Sequence, residues 1–235
     1  MLDLYGYGMR LFEGALVTVE LAFLALIIAV MLGLVTASAK LSKRRIPHFI
    51  ATFYTTVVRG VPDLVLMMLL FFGGQMAINM ASDALYEKFG IDVFLNINAF
   101  VAGVMTIGLI FGAYMGETFR GAIQAVEKGQ MEAAKAYGMS KSLTFRRIQF
   151  PQMMRHALPG LSNNWMVLLK TTALVSVIGL SDMVYVAHQA SKSTLDPFTF
   201  MLFVGGFYLL LTSVSESFFK LLNKKYNAGF SEGGR

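Results

Sequence analysis

The stretch LVTVELAFLALIIAVMLGLVTASA, residues 16–39, decides the fold of this chain. A transmembrane helix needs about 20 consecutive residues that are mainly apolar. This stretch is longer than that and contains one charged side chain, Glu20. Its end, Ala37-Ser38-Ala39, is similar to a signal-peptidase site, but the apolar run of a signal peptide is only about 7–15 residues long. We therefore expect residues 16–39 to remain in the protein as a membrane-spanning helix.

Four more stretches of the same kind follow along the chain, and the composition agrees with them. The 235 residues are 56% hydrophobic and 14% charged, whereas soluble proteins carry about 25% charged residues. The sequence therefore predicts an all-α membrane protein that forms a single transmembrane domain over residues 1–235. The predicted spans cover residues 16–39, 57–80, 97–118, 158–180 and 198–222.

Lysine and arginine residues collect in alternate connections between the predicted spans. They are numerous after the first span, between the third and fourth spans and after the fifth span, but sparse elsewhere. Because cytoplasmic loops are enriched in Lys and Arg, this asymmetry predicts an inner-membrane protein with its N-terminus outside and its C-terminus in the cytoplasm. The net charge of +6 is then a signal of membrane topology, and we expect no nucleic-acid partner.

The chain lacks the residues that several kinds of functional site require. The chain has no cysteine, and its three histidines, His48, His156 and His188, lie far apart, so we expect no disulfide and no zinc site. It lacks the sequences GxxxxGKS and GxxxxGKT of a P-loop and the hydrolase patterns GxSxG and HExxH. We therefore expect a chain that is not an enzyme, binds no cofactor itself and takes its energy from a partner.

The longest polar segment, residues 119–157, has the local signals of two short helices. Residues 130–137 favour a helix, and Gly138 follows them where a left-handed residue often ends a helix. Ser140 is well placed to cap the start of a second short helix. We expect Pro151 to limit that second helix.

A spaced motif lies within this segment, at residues 132–151. It consists of Glu-Ala-Ala, a glycine four residues later, an isoleucine ten residues after the glycine, and then a proline. The pattern resembles the EAA loop of ABC-importer permeases, with Phe150 where these proteins usually have leucine. A basic amphipathic loop lying on anionic lipid is the alternative interpretation, and six matches at fixed spacing favour the motif. The resemblance assigns ATPase coupling to Glu132, Ala133, Ala134, Gly138, Met139, Ile148 and Pro151.

The resemblance implies a type I importer fold in which part of residues 119–157 forms a cytoplasmic coupling helix. It also implies the partners of such a permease: a homologous second permease, a dimer of ABC ATPases that holds ATP and Mg, and a periplasmic binding protein that delivers an amino-acid substrate. The predicted outer segments of this chain are too short to form a capture domain. A separate binding protein would supply that function.

Other blocks of sequence indicate a branch of the family. RGVPDLVL at residues 59–66 and Asn163-Asn164-Trp165 resemble the histidine and lysine-arginine-ornithine permeases of the polar amino-acid family. The resemblance implies an importer of cationic amino acids. Three alternatives stay open here: a permease for neutral or acidic amino acids, a secondary transporter, and a membrane scaffold without transport. A secondary transporter commonly shows internal repeats and discontinuous helices, and no duplication is visible in this sequence.

Glu117 follows a stripe of small residues in the third predicted span. Glycines at i, i+4 spacing predict close packing against another helix, and they are Gly108, Gly112 and Gly116. Glu117 lies about 100° round the helix from the last of them, at a depth similar to Asn163 and Asn164 in the fourth predicted span. We expect this carboxylate and the two amides to hold a positively charged group of the substrate. A structural pair between Glu117 and Arg120 fits the pattern equally well.

Lys170 lies deeper in the fourth predicted span, about 18 Å from the start of that helix. Its neighbours are Thr171 and Thr172. The lysine is expected to neutralise a substrate carboxylate or, as an alternative, to bind carbonyl groups of a neighbouring helix. Glu20 and Glu216 lie near span ends, where pairing or reaching the interface is the simpler role.

Overall fold

A computed structural model describes residues 4–91 and 95–227 of the chain. Within those ranges the backbone forms helices and connecting loops and no β-strand, so the all-α prediction is confirmed there. We number the helices in chain order. They are α1 Gly8–Lys40, α2 Arg45–Gly60, α3 Asp63–Phe89, α4 Ala99–Ala125, α5 Lys128–Ala136, α6 Lys141–Ile178, α7 Met183–Thr194 and α8 Pro197–Asn227.

Four of these helices, α1, α3, α4 and α8, are long and apolar enough to cross a membrane. A fifth crossing is present if α6 and α7 count together, and these two helices meet at a bend of 54°. Gly179 ends α6 in the left-handed conformation, with φ of +86°. Four of the five predicted spans thus overlap the four single helices, and the fourth, residues 158–180, lies in α6, the first helix of the bent pair.

The glycine stripe of α4 packs against α1, as its spacing predicts. A Cβ atom added at any of the three glycines would come within 3 Å of a side-chain atom of α1, so only glycine allows this approach. The contacts advance by four residues on both helices, which shows that α1 and α4 run parallel. The pairs are Gly108 with Ile28, Gly112 with Leu32, and Gly116 with Thr36.

The predicted start of the second span, at residue 57, is wrong. Helix α2 ends at Gly60 and α3 begins at Asp63, so residues 57–60 belong to a separate helix. Pro62 causes the break, because proline disfavours helical backbone in the residue before it. Val61 is accordingly extended, with φ −108° and ψ 138°. The span then continues to Phe89 through one π-helical turn at Leu69–Gly73.

The expectation that Pro151 limits the second short helix of the polar segment is also wrong. The helix that Ser140 caps continues through Pro151 as the long helix α6. A π-helical turn at Phe145–Gln149 lies immediately before the proline. Such a turn shifts the backbone hydrogen bonds by one residue, which accommodates a residue that has no N–H to donate.

The main core lies where α1, α4 and α6 meet. Leu21, Ile107 and Leu168, one from each helix, are fully buried there. A second apolar cluster joins the start of α1 to α7 and α8, and its centre is Leu11, Met183 and Phe200. Many large apolar side chains outside these clusters are exposed, as expected for surfaces that meet lipid or other subunits.

Candidate functional site

Helix α5 carries the first half of the motif and is anchored to two membrane helices. Met131 packs into an apolar cluster formed by the end of α4 and by residues 150–161 of α6, where Ala122, Met153 and Ala157 are buried. Ala134 is buried as well. A force applied to α5 therefore reaches both α4 and α6 through direct packing.

The turn after α5 has the conformation that the sequence predicts. Gly138 has φ of +73°, its N–H donates to the carbonyl of Lys135, and the N–H of Met139 donates to the carbonyl of Ala134, both at 3.0 Å. This pair of bonds is a Schellman motif, which satisfies carbonyls that the helix end leaves unpaired. Ser140 then caps α6, because its Oγ accepts a hydrogen bond from the N–H of Leu143. Both cap predictions are confirmed.

The outward face of α5 is exposed among the described residues. Glu132 and Ala133 are exposed, and Tyr137 is 88% exposed. A large aromatic side chain held out in this way is typical of a surface that a partner covers. Ile148 and Pro151 lie on α6 and are half-buried, and the π-helical turn that contains Ile148 contacts α5. The structure thus joins both halves of the motif in one surface.

Glu117 lies in a cluster of charges at the ends of α1 and α4. Arg120 donates to Glu117 Oε2 through Nε at 2.9 Å and Nη2 at 2.7 Å. Lys40 pairs with Glu117 Oε1 and donates to Thr55 Oγ1 at 2.7 Å. The Glu117 side chain is 17% exposed. The predicted pair with Arg120 is confirmed, and both carboxylate oxygens already have cationic partners within the chain.

The pairing of Lys40 with Glu117 was not predicted, because Lys40 belongs to the basic residues that follow the first predicted span and were interpreted only as a topology signal. The glycine stripe could have indicated this pair, because it sets the register of α1 against α4. Thr36 packs on Gly116, and one helical turn further along, Lys40 on α1 reaches the level of Glu117 on α4. Such an ionic contact between parallel helices follows once their register is known.

Of the two neighbouring asparagines, Asn164 lies at the same depth in the membrane region as Glu117, as predicted. Its Nδ2 donates to Thr118 Oγ1 at 3.0 Å, and it is buried between α4 and α6. Asn163 is exposed on another face of α6. The two amides therefore share one level of the membrane region but not one site.

Lys170 and the two threonines that follow it also lie in different surroundings. Thr171 and Thr172 are buried, and their hydroxyls donate to carbonyls one turn earlier in α6, those of Val167 at 3.0 Å and Leu169 at 2.6 Å. Thr172 also hydrogen-bonds the hydroxyl of Tyr208 at 3.0 Å. Lys170 is exposed and has no hydrogen-bond partner among the described residues.

Exposed polar side chains recur every seven residues along α6. Seven residues are about two helical turns, so they lie on one face. Polar and ionisable groups within membrane helices usually face a protein interface or a water-filled path. This face, the polar stripe, consists of His156, Asn163 and Lys170.

Comparison with known proteins gives a consistent result. Residues 29–228 match the family described as binding-protein-dependent transport system inner membrane component. The histidine/lysine/arginine/ornithine transport system permease protein HisQ is 51% identical in Salmonella typhimurium and 49% identical in Escherichia coli, over 96% of this chain and 97% of each relative. The octopine transport system permease protein OccQ of Rhizobium meliloti is 40% identical over 97% of this chain and 94% of its own length.

Solved structures agree with the fold. The crystal structure of an amino acid ABC transporter with histidines matches 93% of this chain and 95% of its own, with a TM-score of 0.76 and 32% identity. The MetNI methionine ABC transporter, in an inward-facing conformation, matches 92% and 97% with a TM-score of 0.68 and 11% identity, which shows likeness of fold alone. The fold class predicted from the sequence, that of a type I ABC-importer permease, is confirmed. The chain belongs to the family of binding-protein-dependent transport system inner membrane components.

Proposed function

We propose that this chain is the permease subunit of an ATP-driven importer for cationic amino acids, namely histidine, lysine, arginine and ornithine. One observation carries the proposal: 51% identity to the Salmonella permease for those four amino acids, over nearly the full length of both proteins. The relatives named above favour these substrates over the neutral or acidic alternative. The substrate crosses without covalent change, so no catalytic residue is required.

The energy comes from ATP and Mg bound by a pair of ABC ATPase subunits, and this chain itself binds no nucleotide. Helix α5 docks on the ATPase through its exposed face, which includes Glu132, Ala133 and Tyr137. Closure of the ATPases moves α5, and the packing of Met131 passes that movement to α4 and α6. A second permease completes the translocation path, and a periplasmic binding protein delivers the amino acid.

The N-terminus lies outside and the C-terminus lies in the cytoplasm of a bacterial inner membrane. The distribution of Lys and Arg supports this orientation. In that orientation α5 lies on the cytoplasmic side, where the ATPases are. The Lys40–Glu117–Arg120 cluster then lies near the cytoplasmic end of the translocation path.

The substrate contacts come from the polar side chains near α4 and α6. The exposure of Lys170 and Asn163 on the polar stripe supports a path along that face, with Lys170 attracting the substrate carboxylate. Glu117 attracts the positive group after exchanging one of its present partners, and Asn164 supports it through Thr118. Thr172 contributes by tying α6 to Tyr208 of α8 close to Lys170, and Thr171 by its bond to the carbonyl of Val167 within α6.

Uptake in cells that lack their own cationic amino-acid importers tests the proposed substrate class. The chain is produced with its ATPase, second permease and binding protein, and uptake of labelled arginine is measured against unlabelled competitors. We expect lysine, ornithine and histidine to compete, and glutamate and glutamine not to. Competition by glutamate or glutamine instead would assign the complex to another substrate class.

A further inference from the structure

Helix α2 presents large apolar side chains to its surroundings along one face. They recur at spacings of three and four residues, as on one side of a helix, and Ile46 and Phe49 are 73% and 70% exposed. The opposite side of α2 is buried against α1 and α4. The exposed side, called here the α2 face, consists of Ile46, Phe49, Ile50, Phe53 and Val57.

Polar contacts fix α2 in this orientation. The hydroxyl of Tyr54 donates to the carbonyl of Leu109 in α4, and Lys40 donates to Thr55 at 2.7 Å. His48 Nδ1 lies 2.8 Å from the carbonyl oxygen of Lys40. The α2 face is therefore held outward by hydrogen bonds on the other side of the helix.

An apolar groove runs between α2 and the second half of α1. Its volume is about 410 Å³, which is within the range of small-molecule sites, about 300–1,000 Å³. Aliphatic side chains of both helices line it, together with the ring of Tyr54, whose hydroxyl is already bonded. The lining includes Leu32, Val35, Ala39, Ile46 and Ile50.

Three cations stand beside this groove, at the start of α2. Lys43, Arg44 and Arg45 are exposed and immediately precede Ile46, and none of them forms an ion pair with a described residue. The positive end of the α2 dipole lies at the same place, which makes unpaired cations there unfavourable. A negatively charged ligand would be attracted both by the three cationic side chains and by the positive end of the α2 dipole.

We propose that this site binds an anionic phospholipid, with one acyl chain in the groove and the phosphate headgroup at Lys43, Arg44 and Arg45. Only an amphiphile meets both parts of the site, because the groove is apolar and the group beside it is cationic. Basic clusters next to membrane helices attract anionic headgroups in this way. The remaining α2 face continues the apolar surface into the surrounding lipid.

Native mass spectrometry of the chain, purified in detergent with the subunits that copurify with it, tests the proposal directly. Phosphatidylglycerol and phosphatidylcholine with identical acyl chains are added in turn, and bound lipids are counted. We expect preferential binding of phosphatidylglycerol. The triple variant Lys43→Gln/Arg44→Gln/Arg45→Gln should weaken that binding by roughly tenfold or more and abolish the preference.

Two further variants test the headgroup contact and the groove contact independently. Lys220→Gln/Lys224→Gln/Lys225→Gln removes three exposed cations from α8 and should leave the preference intact. Val35→Trp fills the groove and should reduce binding of both lipids. The proposal is overturned if the wild type binds both lipids equally, if the first triple variant keeps its preference, or if that variant instead loses a protein subunit, which would assign the surface to a protein partner.

Discussion

Gly138 controls the direction of the chain between α5 and α6, and two substitutions there separate backbone strain from charge. Asn and Asp are the non-glycine residues that adopt left-handed backbone most readily, and no described residue places an atom within 4 Å of a Cβ atom at Gly138. We expect Gly138→Asn to keep most of the transport rate. Gly138→Asp should lose most of it, because its added charge enters the surface proposed to meet the ATPase.

Uptake of labelled arginine measures both variants, and membrane fractionation checks that each inserts as the wild type does. Normal transport by Gly138→Asp would remove this turn from the coupling surface. If Gly138→Asn fell as far as Gly138→Asp with normal insertion, backbone strain alone would explain the loss, and the proposed role of charge would be wrong.

Glu117 holds two cations, so removing its charge should destabilise the protein. In Glu117→Gln, the partners left to Lys40 are neutral, namely the new amide oxygen and Thr55, while the Lys40 side chain is 11% exposed. Leaving one member of a largely buried ion pair without its partner costs about 3–5 kcal/mol, and partial exposure lowers this to about 1–3 kcal/mol. We expect a lower unfolding temperature for the purified complex, and partial recovery in Lys40→Met/Glu117→Gln. An unfolding temperature equal to that of wild type would contradict the ionic cluster.

The substrate role proposed for Glu117 makes a separate kinetic prediction. A hydrogen bond to a charged group contributes about 1.5–3 kcal/mol, which is about tenfold or more in affinity. In the Glu117→Gln complexes that assemble, the KM for arginine should therefore rise by about that factor, measured by uptake over a range of arginine concentrations. An unchanged KM would leave Glu117 with a structural role only.

At the scale of helices, the contact between α1 and α4 depends on glycine at three positions. A Cβ atom at Gly112 would lie 2.8 Å from Leu32 Cβ and 2.9 Å from the hydroxyl of Tyr54. Overpacking of this kind costs about 1–3 kcal/mol. We therefore expect Gly112→Ala to lower the unfolding temperature of the purified complex.

Gly121, which is also in α4, provides the matched control. A Cβ atom there meets no atom of the described residues within 4 Å, so Gly121→Ala should be neutral or stabilise the helix by about 0.5–1 kcal/mol. Equal effects of the two substitutions would mean that the α1–α4 contact does not depend on close approach at Gly112.

Periodic and local features of these helices were predictable from sequence. The glycine stripe, the Gly138 turn and the Ser140 cap each depend on residues close together in the chain. The second span was misplaced because Val57 and Val58 are as apolar as the span itself, and the break between the two helices lies in the backbone at Val61 and Pro62. Pro151 was misjudged because the π-helical turn before it has no sequence signal that we recognised.

The candidate site was predictable only in part, since its contacts depend on the relative positions of separate helices. Asn163 and Asn164 are adjacent in sequence, yet one is exposed and the other lies between α4 and α6. Depth in the membrane can be estimated from rise per residue, but the direction of a side chain depends on how the helix is rotated against its neighbours. The pair between Lys40 and Glu117 required the register of α1 on α4 in the same way.

At the scale of the whole molecule, orientation in the membrane is open to a direct test. The chain has no cysteine, so single cysteines introduced in place of Lys88, Lys192, Arg44 or Lys141 are the only reactive thiols that it contributes. With a membrane-impermeant thiol reagent on intact cells, we expect labelling at positions 88 and 192 and none at positions 44 and 141. The reverse pattern would contradict the proposed orientation.

The central claim is that ATP drives import through this chain, and uptake into sealed vesicles that contain the purified complex tests it most directly. The vesicles carry ATP and Mg inside, and labelled arginine and the binding protein are added outside. We predict arginine accumulation that requires ATP and the binding protein and is insensitive to a protonophore. Accumulation without ATP that a protonophore abolishes would contradict the account, because an ion gradient would then be the energy source.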